Sequence, residues 1–352
     1  MGIQDRLKNI RRRGGKRNVI SGVLSASYLA SRAGLLPARR GRGAIFTLHH
    51  VRPARQTFEA NAHLEVTPEF LEAAIRQLRS DGYDFVGLDD IPARLRSSES
   101  KPFAAFTLDD GYHNNVEYAL PVFERHDVPF TVFITRGFSE RTHSLWWETL
   151  AELLPQVDHL EFDFGKGVEK LQLSSPPQVK AAFDRFASYV WQKDETEAIS
   201  EIDALSRRHG FDPLDLTHRL VMGREELLKL VAHPLATLGA HTVSHRAVSR
   251  LSGQDARFEL QESARWLEQL TGSRPASFAF PYGMQSAVSA RDVKIAEELG
   301  FSVAVTTQPG TLSQASLNNL TGLPRISLNG YFQRPRYVSA LASGIPFALM
   351  RR

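Results

Sequence analysis

The chain has 352 residues, 42% of them hydrophobic, and a formal net charge of +4. That length exceeds a typical domain but suits one barrel of alternating strands and helices with additions, and no stretch approaches the roughly 20 unbroken apolar residues that span a bilayer. Cysteine is absent, which excludes disulfides and thiolate chemistry and leaves imidazole and carboxylate to hold any metal.

Residues 1–40 read as a basic N-terminal arm. Arg6, Lys8, Arg11, Arg12, Arg13, Lys16 and Arg17 crowd its start, and a weakly apolar run over residues 19–30 follows, broken by Ser21, Gly22, Ser25 and Ser27. Three readings fit: a poor signal peptide, an amphipathic helix on an anionic lipid surface, or a solvated arm. A nucleic-acid arm fits poorly, because no aromatics or binding motif accompany the charges, so no nucleic acid is expected as a partner. Arg39, Arg40, Gly41 and Gly43 read as a linker into one domain over residues 41–345.

From Ala44 onward short β-rich runs alternate with helical periodicity, the signature of parallel α/β architecture. Residues 44–48 predict a buried strand, residues 68–78 a helix capped by Thr67 with Pro68 at its first position, and residues 85–88 the next strand. A strand over 104–108 runs straight into Asp109 and Asp110, followed by a helix over 115–125 and a strand over 128–134. Residues 144–233 turn helical and charged, with Pro176, Pro177 and Pro213 and no clear strand, and read as a helical insert. Alternation resumes with a strand over 236–240, a helix ended by Gly272, and strands over 277–280 and 302–306.

Chemistry gathers where these strands end. In Thr107-Leu108-Asp109-Asp110-Gly111, adjacent carboxylates leave an irregular turn in different directions, so one can ligate a metal while the other takes a proton; paired Asp before Gly is equally ordinary turn chemistry. His241-Thr242-Val243-Ser244-His245 follows the strand over 236–240. Histidines four apart share one face of a helical turn and can converge on one ion at about 2.0–2.1 Å. One carboxylate and two imidazoles suit zinc, and also cobalt, nickel or iron, and a metal lowers the pKa of water toward about 7 for attack on a carbonyl. In Phe278-Ala279-Phe280-Pro281-Tyr282-Gly283, Pro281 and Gly283 can aim a backbone amide at a developing oxyanion, and the aromatic rings can stack on sugar faces.

In order and spacing these three sets resemble the polysaccharide deacetylases of carbohydrate esterase family 4, which include the nodulation-type chitooligosaccharide deacetylases. The likeness runs from about residue 44 to residue 325, the insert excepted. The resemblance implies a distorted (β/α)7 barrel of the α/β class that binds a divalent metal and hydrolyses N-acetyl, or sometimes O-acetyl, groups of an acetylated glycan. Carried over position by position, Asp109 is similar to the catalytic base, Asp110, His241 and His245 to the metal ligands, and the Tyr282 amide to the oxyanion donor, with Pro281 and Tyr282 against the substrate. His49, in Leu48-His49-His50-Val51, is similar to an active-site histidine at the first strand end of some members. Trp146 and Trp147 resemble tryptophans of relatives with a helical insert, where they line a sugar groove or pack the insert onto the barrel.

The sequence departs from the family pattern twice. Ala279 stands where many members carry an arginine that orients the base; Arg325, in Leu323-Pro324-Arg325-Ile326, can supply that charge. Many also have a late histidine as general acid, whereas Ser327-Leu328-Asn329-Gly330 has none, and His49 is the substitute. The expected protein is a metal-dependent hydrolase of non-peptide carbon–nitrogen bonds, with zinc as the first candidate metal. The rival is a glycan-binding or scaffolding protein of the same fold that has lost the acid step. A glycosidase fits poorly, since it needs two opposed carboxylates without a metal. The lack of a convincing signal peptide favours a cytoplasmic place, peripheral at the inner membrane through the basic N-terminus, with secretion left open.

Overall fold

In the computed structural model, which describes residues 3–54, 61–98 and 101–350, the site-bearing sheet has eight strands. They are β1 (Gly43–Leu48), β2 (Asp84–Phe85), β3 (Phe103–Leu108), β4 (Phe130–Ile134), β5 (Ala236–Ala240), β6 (Ser277–Ala279), β7 (Val303–Val305) and β8 (Ile326–Ser327). The order is β7-β6-β5-β4-β3-β1-β8, every pairing is parallel, and β2 lies off this path, beside the first two residues of β3. Leu323 bridges Val305 of β7, and three residues later Ile326 pairs with Phe46 of β1. One short segment therefore touches both edges of the sheet and curls it into a distorted (β/α)7 barrel, as the family resemblance implies.

Every residue of β1, β3 and β4 is buried, which is why these strands read as unbroken apolar runs: a parallel sheet is covered on both faces. Alternation still sorts them. Ala44, Phe46, Leu48, Ala104, Phe106 and Leu108 pack with Phe70, Leu71 and Ala74 of the helix Pro68–Ser80, whereas Ile45, Phe103 and Ala105 join Phe133, Ala279 and Val305 in an inner layer. That helix starts as predicted, with Thr67 Oγ1 accepting from the Phe70 amide at 3.1 Å, and Gly272 ends the helix Gly253–Thr271 at φ 76°. Two predicted elements are altered. The strand expected over 85–88 is Asp84–Phe85 followed by a 3-10 turn, and the helix expected over 115–125 opens with a π turn, Asn115–Ala119, before Leu120–His126.

Within residues 144–233 lie helices Trp146–Leu153, Pro176–Gln192, Glu195–Arg208, Pro213–Leu220 and Arg224–Val231. They are joined by an antiparallel hairpin of His159–Asp163 and Val168–Gln172, which corrects the expectation of a strandless insert. Leu160 and Phe162 are the buried positions of the first hairpin strand, so the alternation spans two residues amid charged ones, and Asp163 Oδ1 closes the turn on the amides of Gly165, Lys166 and Gly167. The insert has its own core around Leu150, Phe162, Phe183, Phe186 and Ile202, continuous with Tyr112 of the barrel.

Ile3–Arg32 is helical, and its Leu24 packs on Tyr337 and Ala340 of the helix Pro335–Ala342. The side chains of Arg6, Lys8, Arg11, Arg12, Arg13 and Lys16 lie outside the described residues. No described helix is long and apolar enough to cross a membrane.

Two stability predictions follow from this packing. A Cβ at Gly239 would stand 2.4 Å from the Phe133 ring and 2.9 Å from Ser277 Oγ, so Gly239→Ala should lower unfolding free energy by about 1–3 kcal/mol in denaturant titrations, as overpacking does. In the insert, burial lifts Asp203 to about 6 while Ser144 Oγ donates to both its oxygens. The folded chain keeps that proton where the unfolded chain has lost it, so stability should fall as pH rises from about 4 to 6. Asp203→Asn should flatten the thermal midpoint across that window.

Candidate active site

Asp109 continues the ladder past β3, its amide donating to Leu48 O at 3.0 Å, and the alternation that buries Phe103 and Ala105 in the inner layer sends its side chain the same way. There Arg325, completely buried, donates Nη1 to Asp109 Oδ1 and Nη2 to Oδ2, each at 2.7 Å. Arg325 is itself fixed by Nε on Thr306 O at 2.9 Å and Nη1 on Thr107 Oγ1 at 3.0 Å. Burial drives the Asp109 carboxyl upward, but the Arg325 charge and its hydrogen bonds outweigh that and hold it below the usual carboxylate range.

Asp110 turns away because its backbone is left-handed, φ 73°, as is that of Gly111, φ 69°. Its Oδ1 lies 3.2 Å from His245 Nε2 and 3.5 Å from His241 Nε2, and the donor atoms of the three buried side chains all fall within 4.8 Å of one another. His241 Nδ1 faces Ala279 O at 2.6 Å. A carbonyl only accepts, so Nδ1 carries the hydrogen and Nε2 presents a bare lone pair toward the carboxylate. Two acceptors facing each other, with Asp110 Oδ1 making no hydrogen bond, is the arrangement a cation resolves, and this donor set fits a divalent metal.

The histidines do not converge in the expected way. Residues 241–245 are not helical; Thr242 and His245 are left-handed at φ 64° and 58°, and Thr242 Oγ1 accepts from the His245 amide at 3.0 Å. A buried carboxylate that the sequence reading missed holds this loop. Glu259 Oε2 accepts from the Val243 and Ser244 amides at 2.7 and 2.9 Å, and Oε1 from Ser244 Oγ at 2.6 Å. Its signal was available: Glu259 sits among Ala256, Leu260, Ser263 and Ala264 on the buried face of its helix, where a lone carboxylate has to find donors.

At the end of β6, Pro281 is buried, and Tyr282 and Gly283 are left-handed at φ 59° and 63°. A Cβ at Gly283 would stand 2.4 Å from the Thr307 amide, so glycine is required there. The Tyr282 carbonyl accepts from Thr307 Oγ1 at 2.6 Å, and among the described residues its amide donates to no protein acceptor. The phenol donates to Glu195 Oε1 at 2.7 Å and accepts from Trp146 Nε1 at 3.1 Å. Glu195 carried no such signal, since an acid in the first turn after Asp194 reads as ordinary helix-start chemistry.

His49 lies at the end of β1 with Nε2 3.9 Å from Asp109 Oδ2 and about a fifth of its side chain exposed; burial lowers its pKa despite the nearby aspartates. Trp146 and Trp147 are 6% and 7% exposed, and their indole N–H groups are taken by Tyr282 and Tyr112. Both pack in the core of the insert, and the Trp147 ring lies 4.9 Å from the His245 ring.

The family model for polysaccharide deacetylases matches residues 96–304. The Bacillus subtilis protein YxkH, which bears a polysaccharide deacetylase name, is 26% identical over 90 residues, 26% of this chain and 31% of that protein. The chain thus aligns with under a third of that relative's length. Among solved structures, the Streptococcus pyogenes deacetylase PplD in complex with acetate matches at TM-score 0.50 and 18% identity, covering 82% of this chain and 92% of that one. IcaB from Ammonifex degensii matches at 0.52 and 16%, covering 87% and 97%. At these identities the structural likeness is one of fold.

If the cluster holds a metal, adding Zn2+ to chelator-treated protein should raise the thermal midpoint, by an amount equivalent to about 2.7 kcal/mol at one hundred times Kd. His245→Ala should abolish the rise. An equal rise in the variant would place the metal elsewhere.

Proposed function

This chain belongs to the polysaccharide deacetylase family, and on that premise we propose that it hydrolyses N-acetyl, or alternatively O-acetyl, groups of a polysaccharide or oligosaccharide with a zinc-class divalent metal at Asp110, His241 and His245. The observation that carries the reading is the pairing of two unlike carboxylates: Asp110 turned onto two imidazoles, and Asp109 held ionised by Arg325 in the buried layer beside it.

A divalent cation at that cluster supplies Lewis acidity toward water and an acyl oxygen. The remaining work falls to this chain's own groups. Asp109, anionic because Arg325 neutralises its burial, takes the proton of the attacking water. The Tyr282 amide, uncommitted to any protein acceptor among the described residues, is the oxyanion donor. Arg325 supports Asp109 in place of the arginine that Ala279 replaces. The leaving nitrogen needs a proton, and His49 is our candidate to pass it on from Asp109, a reading supported by its 3.9 Å separation from that carboxylate and its partial exposure.

The test is acetate release from N-acetylated glucosamine oligomers and from acetylated exopolysaccharide by metal-loaded protein. Wild type should release acetate. Asp109→Asn should lose about 10²–10⁴-fold, the contribution of a general base, and His241→Ala should lose activity together with metal. Stoichiometric metal with no release from any acetylated glycan would instead indicate a glycan-binding protein of this fold.

A further inference from the structure

Two residues far apart in the insert meet on one oxygen of the barrel. Trp146 and Glu195 each open a helix of the insert, and the Tyr282 hydroxyl accepts from the one and donates to the other. Glu195 is 4% exposed, and its second oxygen accepts from the Ala247 amide at 3.0 Å, two residues past His245, with Arg250 Nη1 3.9 Å away. A single carboxylate thus joins three parts of the chain: the insert, the turn at the end of β6 and the loop that carries the histidines.

We propose that Glu195 is a positioning residue through which the insert fixes the Tyr282 turn against the His245 loop, so that turnover depends on the insert while metal capture does not. This rests on the deacetylase reading. Sealing a carboxylate from water is unfavourable unless its partners are well placed, and a site needed only for packing would be filled by an apolar side chain. The partners here are the Tyr282 phenol and a main-chain amide near a ligand histidine. Tyr282 is a non-glycine residue in a left-handed conformation, φ 59°, a state that persists only where the surroundings over-determine it. Thr307 fixes its carbonyl, Trp146 and Glu195 fix its ring, and that ring lies 5.1 Å from the His245 ring. With the phenol released, the turn can relax and carry the Tyr282 amide out of line. The metal ligands keep a separate support in Glu259.

Glu195→Gln preserves shape but loses one acceptor, because its NH2 group has to face either the phenol hydroxyl or the Ala247 N–H. The holoprotein should keep stoichiometric metal and a KM within about two-fold while kcat falls about ten-fold or more, the signature of a contact that matters in the transition state. Tyr282→Phe should cut the same link from the other side, so the double variant should be no worse than the poorer single one. Hydrogen exchange of metal-loaded protein should quicken in peptides covering residues 280–286 and 243–249 in Glu195→Gln. Unchanged kcat in folded Glu195→Gln, or additive losses in the double variant, would overturn the proposal. Unchanged exchange would overturn it whether or not any glycan is turned over. A wild type that releases no acetate sinks the deacetylase reading alone, and the exchange data then decide the role of Glu195.

Discussion

An ionised carboxylate inside a barrel needs a charge of the opposite sign beside it, and the Asp109–Arg325 pair is the contact on which the site depends. Removing one member of such a pair leaves the other charge buried and unpaired, at a cost of about 3–5 kcal/mol. The pair is also tied into the architecture. Arg325 lies in the short segment whose Leu323 meets β7 and whose Ile326 meets β1. Closing the sheet and neutralising Asp109 are therefore the work of the same few residues.

Around that pair the strand ends are bent by force. Asp110, Thr242, His245 and Tyr282 all take left-handed backbone without being glycine. Each such residue carries about 1–3 kcal/mol of strain, offset by particular hydrogen bonds: Glu259 on the histidine loop, Thr307 and Glu195 on the Tyr282 turn. Strain gathered at one rim and offset by side-chain hydrogen bonds to the bent backbone and ring is what a preorganised site requires, because side chains held this way need not rearrange to meet a substrate.

The parts legible in the sequence are those set by local pattern. Apolar runs in β1, β3, β4 and β5 mark a covered parallel sheet, and the Asp-Asp-Gly and His-x-x-x-His spacings lie directly after two of them. The parts that were not legible depend on tertiary context. Four-residue spacing suggests a helical face for His241 and His245, whereas backbone handedness and Glu259 bring them together. The hairpin at His159–Asp163 hides because its alternation spans only Leu160 and Phe162. Local pattern leaves Trp146 and Trp147 open between lining a groove and packing the insert, and their burial at 6% and 7% exposure follows only from the insert's core. Arg325, 216 positions from Asp109, can be proposed as its partner from motif position, but the geometry of the contact comes only from closing the barrel.

That separation bears on how the protein is made. A nascent chain emerges N-terminus first, at roughly 5–20 residues per second, so Asp109 waits through most of the chain's synthesis for the guanidinium that permits its burial. Until Arg325 appears, a collapsed intermediate has to leave Asp109 wet or protonated. Contacts of such long range slow folding, and the barrel interior here can seal only after its last short strand has been translated.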